Sequence, residues 1–92
     1  MYGELSAEKD RFSSRLATIP GLHPLPSIGD WILLEVIEPA SVARKVNRRL
    51  EPGAVSVPRG VDGAVRVHVG HPRDNEKLFQ TLREVLGKRK RT

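Results

Sequence analysis

Ninety-two residues hold one domain, since domains commonly run to roughly 100–200 residues, and a chain this short buries only about 60–65% of the surface it exposes when unfolded. With 38% hydrophobic and 29% charged residues and no cysteine, the composition argues against disorder and excludes disulfide frameworks, cysteine-ligated zinc and iron–sulfur clusters. Sixteen Lys and Arg against eleven Asp and Glu give a net charge of +5, and eleven of the sixteen cations are arginine, the side chain suited to carboxylate and phosphate partners.

No run approaches the ~18–20 apolar residues that cross a bilayer, and the first twenty residues lack a signal-peptide core. A single cytoplasmic domain over 1–92 is expected, with 88–92 a flexible basic tail. In chain order, Ser6 is a candidate helix N-cap. Phe12, Leu16 and Ile19 recur at helical spacing, with Glu8, Lys9, Asp10, Arg11 and Arg15 off that face. Pro20-Gly21 ends this helix, because the residue before a proline is pushed out of the α region. His23-Pro24-Leu25-Pro26 reads as an extended, proline-stiffened link.

Residues 31–37, Trp-Ile-Leu-Leu-Glu-Val-Ile, read as a strand. Glu38-Pro39 opens a second helix whose apolar stripe is Val42, Val46 and Leu50 and whose wet face is Arg44, Lys45, Arg48 and Arg49. Pro52-Gly53 stops it. Residues 54–57 form a short strand, 58–63 a glycine-rich turn, and 64–69 a strand in which valines alternate with Ala64, Arg66 and His68. The last helix carries Asp74 and Glu76 in its first turn, where the dipole favours them. Leu78, Phe79, Leu82, Val85 and Leu86 give its core face, and Gly87 is the expected C-cap.

The order is helix, then βαββα. A right-handed crossover makes the first two strands parallel with a gap that the third fills antiparallel to both. The expected fold is an α+β two-layer sandwich, a three-stranded sheet of order 1-3-2 with helices mainly on one face. Val65, Val67 and Val69 turn toward the helices. The opposite face, with Trp31, Leu33, Glu35 and Arg66, is left without cover from this chain, and a partner is expected there.

The chemistry-bearing residues are few. His23, His68 and His71 lack the spacing of a metal or catalytic set, no nucleophile elbow appears, and the glycines lack phosphate-loop spacing. Metal ligands and catalytic residues are therefore assigned to none. The basic run Lys88, Arg89, Lys90 and Arg91 supports weak, salt-sensitive phosphate binding, but four aromatics in all are too few for a stacking platform. Arg66 sits mid-strand between two valines, so its guanidinium must reach solvent, an anion or a carboxylate such as Glu35 on the neighbouring strand.

Four segments join into a series. Pro20-Gly21-Leu22-His23-Pro24-Leu25-Pro26-Ser27-Ile28-Gly29-Asp30-Trp31-Ile32-Leu33-Leu34 resembles the "PGL-x-V-x-PS-x-ANF-x-L" entry of the C-terminal small domain of fold-type I, pyridoxal-phosphate-dependent aminotransferases. The histidinol-phosphate aminotransferase branch, with its threonine-phosphate decarboxylase relatives, is the nearest resemblance. Pro52-Gly53-Ala54-Val55 stands for "GI-x-V-R", Val65-Arg66-Val67-His68-Val69-Gly70 for "LRITVG", and Asp74-Asn75-Glu76-Lys77-Leu78 for "EEN-x-x-L". The series covers roughly residues 8–87.

The resemblance implies that Arg66 binds the substrate's anionic group and that the domain closes the active-site cleft against a large domain, which carries the pyridoxal-phosphate lysine. Asp30 falls on the asparagine of "ANF". Val57 stands where "GI-x-V-R" has its arginine, with Arg59 two residues on, so Asp30 and Arg59 are secondary candidates for substrate contact. None of the five lysines has the family's "S-x-x-K" context. The chain alone is expected to hold no pyridoxal phosphate and to be inactive. Its expected partner is an aminotransferase large domain, or a second copy of the chain, on the Trp31/Leu33/Arg66 face. The alternative reading is a free-standing basic α+β module that binds RNA or an acidic protein through Lys88–Arg91 and the Arg44/Lys45/Arg48/Arg49 face.

Overall fold

The computed structural model of the chain describes residues 2–90, with side chains for residues 7–87. Seven elements follow one another: α1 (Tyr2–Leu16), β1 (His23–Leu25), β2 (Trp31–Glu35), α2 (Pro39–Arg49), β3 (Val55–Ser56), β4 (Ala64–His68) and α3 (Pro72–Lys90). The fold is α+β, and its sheet has four strands in the order β1-β2-β4-β3, with every neighbouring pair antiparallel.

This corrects the expected three-stranded sheet of order 1-3-2. His23–Leu25, read above as a link, pairs with β2 through His23↔Glu35, Pro24↔Leu34 and Leu25↔Leu33. The prolines that suggested a linker hold the backbone extended, and an edge strand tolerates a residue with no N–H to donate.

Three helix ends also move. α1 begins at Tyr2, so Ser6 lies within the helix and does not cap it. α1 stops at Leu16 rather than reaching Ile19, because Thr18 N–H turns back to the Arg15 carbonyl and Ile19 N–H to that of Leu16. Ile19 is nonetheless buried. α3 runs through Gly87 to Lys90, and Gly87 does not take the left-handed conformation of a C-cap. A glycine inside a helix costs about 1 kcal/mol against alanine, which the buried stripe of Leu78, Leu82, Val85 and Leu86 outweighs.

Alternation along the central pair decides which face is core. Ile32, Leu34 and Val36 from β2 and its exit, with Val65, Val67 and Val69 from β4 and its exit, join Phe12, Leu16, Val42, Val46, Phe79 and Leu82 in one buried cluster. Helices therefore cover one face. The weakest strand, β3, is fixed by a side chain: Asn47 of α2 accepts from Val55 N–H at 2.8 Å and donates to the Val55 carbonyl at 2.9 Å. No helix among the described residues is long and apolar enough to cross a membrane.

Candidate functional site

The register sets the uncovered face. Trp31 stands opposite His68 and Leu33 opposite Arg66, with Leu25 flanking Leu33 on the β1 side and Ser56 flanking Arg66 on the β3 side. The Arg66 guanidinium lies over the Trp31 ring, 4.3 Å from its centre. The His68 ring meets Trp31 edge-on, with centroids 5.0 Å apart and planes at 73°. His68 Nε2 lies 3.8 Å from Asp30 Oδ2. Four side chains, Asp30, Trp31, Arg66 and His68, thus form one exposed cluster. The expected alternative of an Arg66–Glu35 pair does not form among the described residues, since Glu35 stands opposite Ala64.

Helix α1 anchors this cluster at two points. Lys9 Nζ donates to the carbonyls of Ser27 and Gly29, both at 2.8 Å. The Ser27 hydroxyl donates to the Trp31 carbonyl at 2.8 Å, and Val69 N–H to the Asp30 carbonyl at 2.6 Å. Gly29 turns with φ +72°, a conformation a side chain would strain, and so aims Asp30 and Trp31 onto the sheet. At the exit of β4, the buried Asn75 accepts from Gly70 N–H at 2.9 Å and donates to the Gly70 carbonyl at 3.0 Å and to Glu8 Oε2 at 2.7 Å. Hydrogen bonds from Arg11 and then Asn75 hold the Glu8 carboxyl below its ordinary value.

Adjacent residues Glu8 and Lys9 therefore tie the helix to both strand ends that carry the cluster. Pattern reading placed both on a solvated helix face and assigned Asn75 no role, although the "EEN-x-x-L" match had marked that asparagine.

The other candidates lie apart. Arg59 is exposed in the turn between β3 and β4 and makes no hydrogen bond or ion pair with the Arg66 cluster among the described residues. The side chains of Lys88, Arg89, Lys90 and Arg91 lie outside the described residues. No group of three or more metal-ligating side chains occurs among the described residues.

No protein-family profile matches the chain. Individual curated proteins do match. The chain is 31% identical over 84 residues, 86% of its length, to 23% of a histidinol-phosphate aminotransferase of Roseiflexus castenholzii. It is 28% identical over 86 residues, 94% of its length, to 23% of the protein of that name from Thermosynechococcus vestitus. It is 31% identical over 85 residues, 90% of its length, to 24% of histidinol-phosphate aminotransferase 1 of Burkholderia lata. The chain resembles a piece of a histidinol-phosphate aminotransferase.

It spans less than a quarter of the length of these three relatives, a share consistent with a small C-terminal domain. Pyridoxal phosphate itself does not fit the residues described here. A Schiff-base site needs a lysine amine facing an anion cradle, whereas Lys9 is committed to two backbone carbonyls and Lys45 and Lys77 are exposed on α2 and α3.

Proposed function

We propose that the chain is the C-terminal small-domain part of a pyridoxal-phosphate-dependent aminotransferase of the histidinol-phosphate type, where it closes the cleft and holds the substrate's anionic group through Arg66. The observation that carries this reading is the placement of Arg66 on the uncovered sheet face, stacked on Trp31. Stacking occupies the face of the guanidinium and leaves its N–H edges for a carboxylate or phosphate, which they engage in pairs. An anion clamp of this kind supplies orientation and specificity, while the cofactor carries the bond-making. Asp30 and Arg59 are secondary contacts in this reading. The large domain, or a second copy of the chain, covers the Trp31/Leu33/Arg66 face, and the chain alone carries no transamination.

A chimera tests it. The matching piece of the Roseiflexus castenholzii enzyme is replaced by this chain, and activity is compared with that of the same chimera bearing Arg66→Gln. The expected result is an active chimera whose kcat/KM falls about 100-fold with the substitution, on the scale of a lost charged hydrogen-bond pair. An active chimera indifferent to Arg66→Gln overturns the role of Arg66.

One observation favours a second reading. Lys45, Arg48 and Arg49 line a groove between α2 and α3, and α2 holds no acidic residue. Among the described residues Glu84 pairs with Arg49 there, at 2.8 Å. A surface of this kind binds nucleic-acid phosphates weakly, with an affinity that collapses between 50 and 200 mM salt. Tight RNA binding that survives 200 mM salt would displace the aminotransferase reading.

A further inference from the structure

The turn that leads into β2 is held from outside itself. Its central residue, Ile28, is 92% exposed, so burial does not fix it. Lys9 of α1 reaches across instead: its ammonium donates to the carbonyls on either side of Ile28, those of Ser27 and Gly29, each at 2.8 Å. Bonds from an ionised donor are stronger than neutral ones. The anchor is itself fixed. Lys9 is half-buried, its neighbour Glu8 accepts from the buried Asn75 at 2.7 Å, and Phe12 and Leu16 of the same helix sit in the core.

What the turn sets is Trp31. The Ser27 hydroxyl donates to the Trp31 carbonyl at 2.8 Å, and Gly29, with φ +72°, reverses the chain just ahead of it. Trp31 in turn sets Arg66. The guanidinium lies 4.3 Å from the ring centre, and among the described residues no hydrogen bond or ion pair restrains it. A free arginine loses rotamer freedom when it takes a ligand, whereas one already stacked has lost part of it beforehand. The pose of Arg66 therefore depends on a lysine that does not touch it.

We propose that Lys9 is a positioning residue of the Arg66 anion site: its two carbonyl bonds hold the turn that sets Trp31, and Trp31 holds the guanidinium in the pose that receives a carboxylate or phosphate. The inference rests on the reading of Arg66 as the anion-binding residue.

The test uses the 92-residue chain and two readouts. The first is the NMR signal of the Arg66 side chain, because an indole ring current displaces upfield the protons stacked on its face. The second is the Kd for inorganic phosphate at constant pH and ionic strength, read from the fluorescence of Trp31, the single tryptophan. Lys9→Met keeps an unbranched stem and removes the donors. It should move the Arg66 signals toward those of an unstacked arginine and weaken phosphate about two- to fivefold, the range that loss of an exposed cation–π contact spans. Lys9→Arg, which keeps a cation with several N–H donors, should restore both readouts. Ser27→Ala alters no charge and cuts the same turn, so it should move both in the same direction. Arg66→Gln should abolish phosphate binding.

The outcomes separate the two claims. A folded Lys9→Met chain that keeps the upfield Arg66 signals, or that loses them yet binds phosphate as the unaltered chain does, overturns the positioning role and leaves the anion-site reading standing. If Lys9→Met does not fold, Ser27→Ala decides, and unchanged Arg66 signals in that variant overturn the role. Phosphate binding indifferent to Arg66→Gln, or no binding by the unaltered chain, overturns the anion site, and the role of Lys9 falls with it.

Discussion

The Arg66 guanidinium stacks on Trp31 across a diagonal of the sheet, 4.3 Å from the ring centre, although Trp31 stands opposite His68 and Arg66 opposite Leu33. Diagonal neighbours on adjacent strands lie about 7–8 Å apart at the backbone, within reach of a long side chain and an aromatic. The contact is made on the wet face of the sheet. It orients Arg66 without removing its N–H groups from solvent.

A double-mutant cycle measures that contact. An exposed cation–π pair is worth about 0.5–1 kcal/mol, so Trp31→Leu, Arg66→Gln and the double variant should show a coupling of that size in urea unfolding. Strictly additive losses would mean that the stack does not hold the arginine.

Asn75 should matter more to stability than any of the surface charges. It is 3% exposed and satisfies both the N–H and the carbonyl of Gly70 while donating to Glu8. Asn75→Ala leaves buried groups unpaired and is expected to cost about 2–4 kcal/mol. At roughly 4–8 °C per kcal/mol for a domain this size, thermal unfolding should register it clearly. Asn75→Asp should also destabilise, because it keeps the acceptor for Gly70 N–H but sets a carboxylate against Glu8. A melting temperature unchanged by Asn75→Ala would show that water replaces the amide without loss.

Glu8 gives the fold a pH dependence of known sign. Its carboxyl is held below the ordinary value of 4.5 by hydrogen bonds from Arg11 and Asn75. In acid the unfolded chain therefore binds this proton before the folded chain does, so stability rises with pH through that window. The contribution is complete above about pH 5 and is lost as pH falls through the folded value. Urea midpoints of the unaltered chain and of Glu8→Gln, measured between pH 3 and 6, should converge toward the acid end. A constant gap across the range would remove the titration and leave only packing.

How far the sequence could be read depended on what each residue answers to. The valines of β4 and the leucines of α3 answer to burial, and their periods of two and about 3.6 showed the core face directly. Arg66 was legible for the converse reason, a cation mid-strand among valines. His23–Leu25 was misread because local proline chemistry says "extended" without saying paired, and only the neighbouring Leu33–Glu35 backbone decides that. Asn75, Asn47 and Lys9 were opaque because each acts on backbone groups of another segment: Gly70, Val55, and the Ser27 and Gly29 carbonyls. Nothing in local pattern encodes such a partner. The Asp30–His68 approach was hidden likewise, since it exists only through the register that sets Trp31 against His68.

The last prediction concerns the uncovered sheet face. Trp31 is 37% exposed, and Leu25 and Leu33 beside it are half-buried. Full burial of a large apolar side chain contributes about 1.5–3 kcal/mol, and a short chain has little stability to forgo. Apolar patches next to charge commonly mark an interface. The helices cannot supply the cover, because Phe12, Leu16, Val46 and Leu82 are committed to the other side in one core. The isolated chain is therefore expected to self-associate through this face, which the proposed large domain would otherwise cover. Leu33→Glu isolates the effect, since Leu33 points away from its buried neighbours Ile32 and Leu34. Sedimentation should show the unaltered chain moving from monomer to dimer with concentration, and Leu33→Glu remaining a folded monomer. An unaltered chain that stays monomeric at high concentration would mean that Arg66 and Glu35 keep the face wet enough to stand alone.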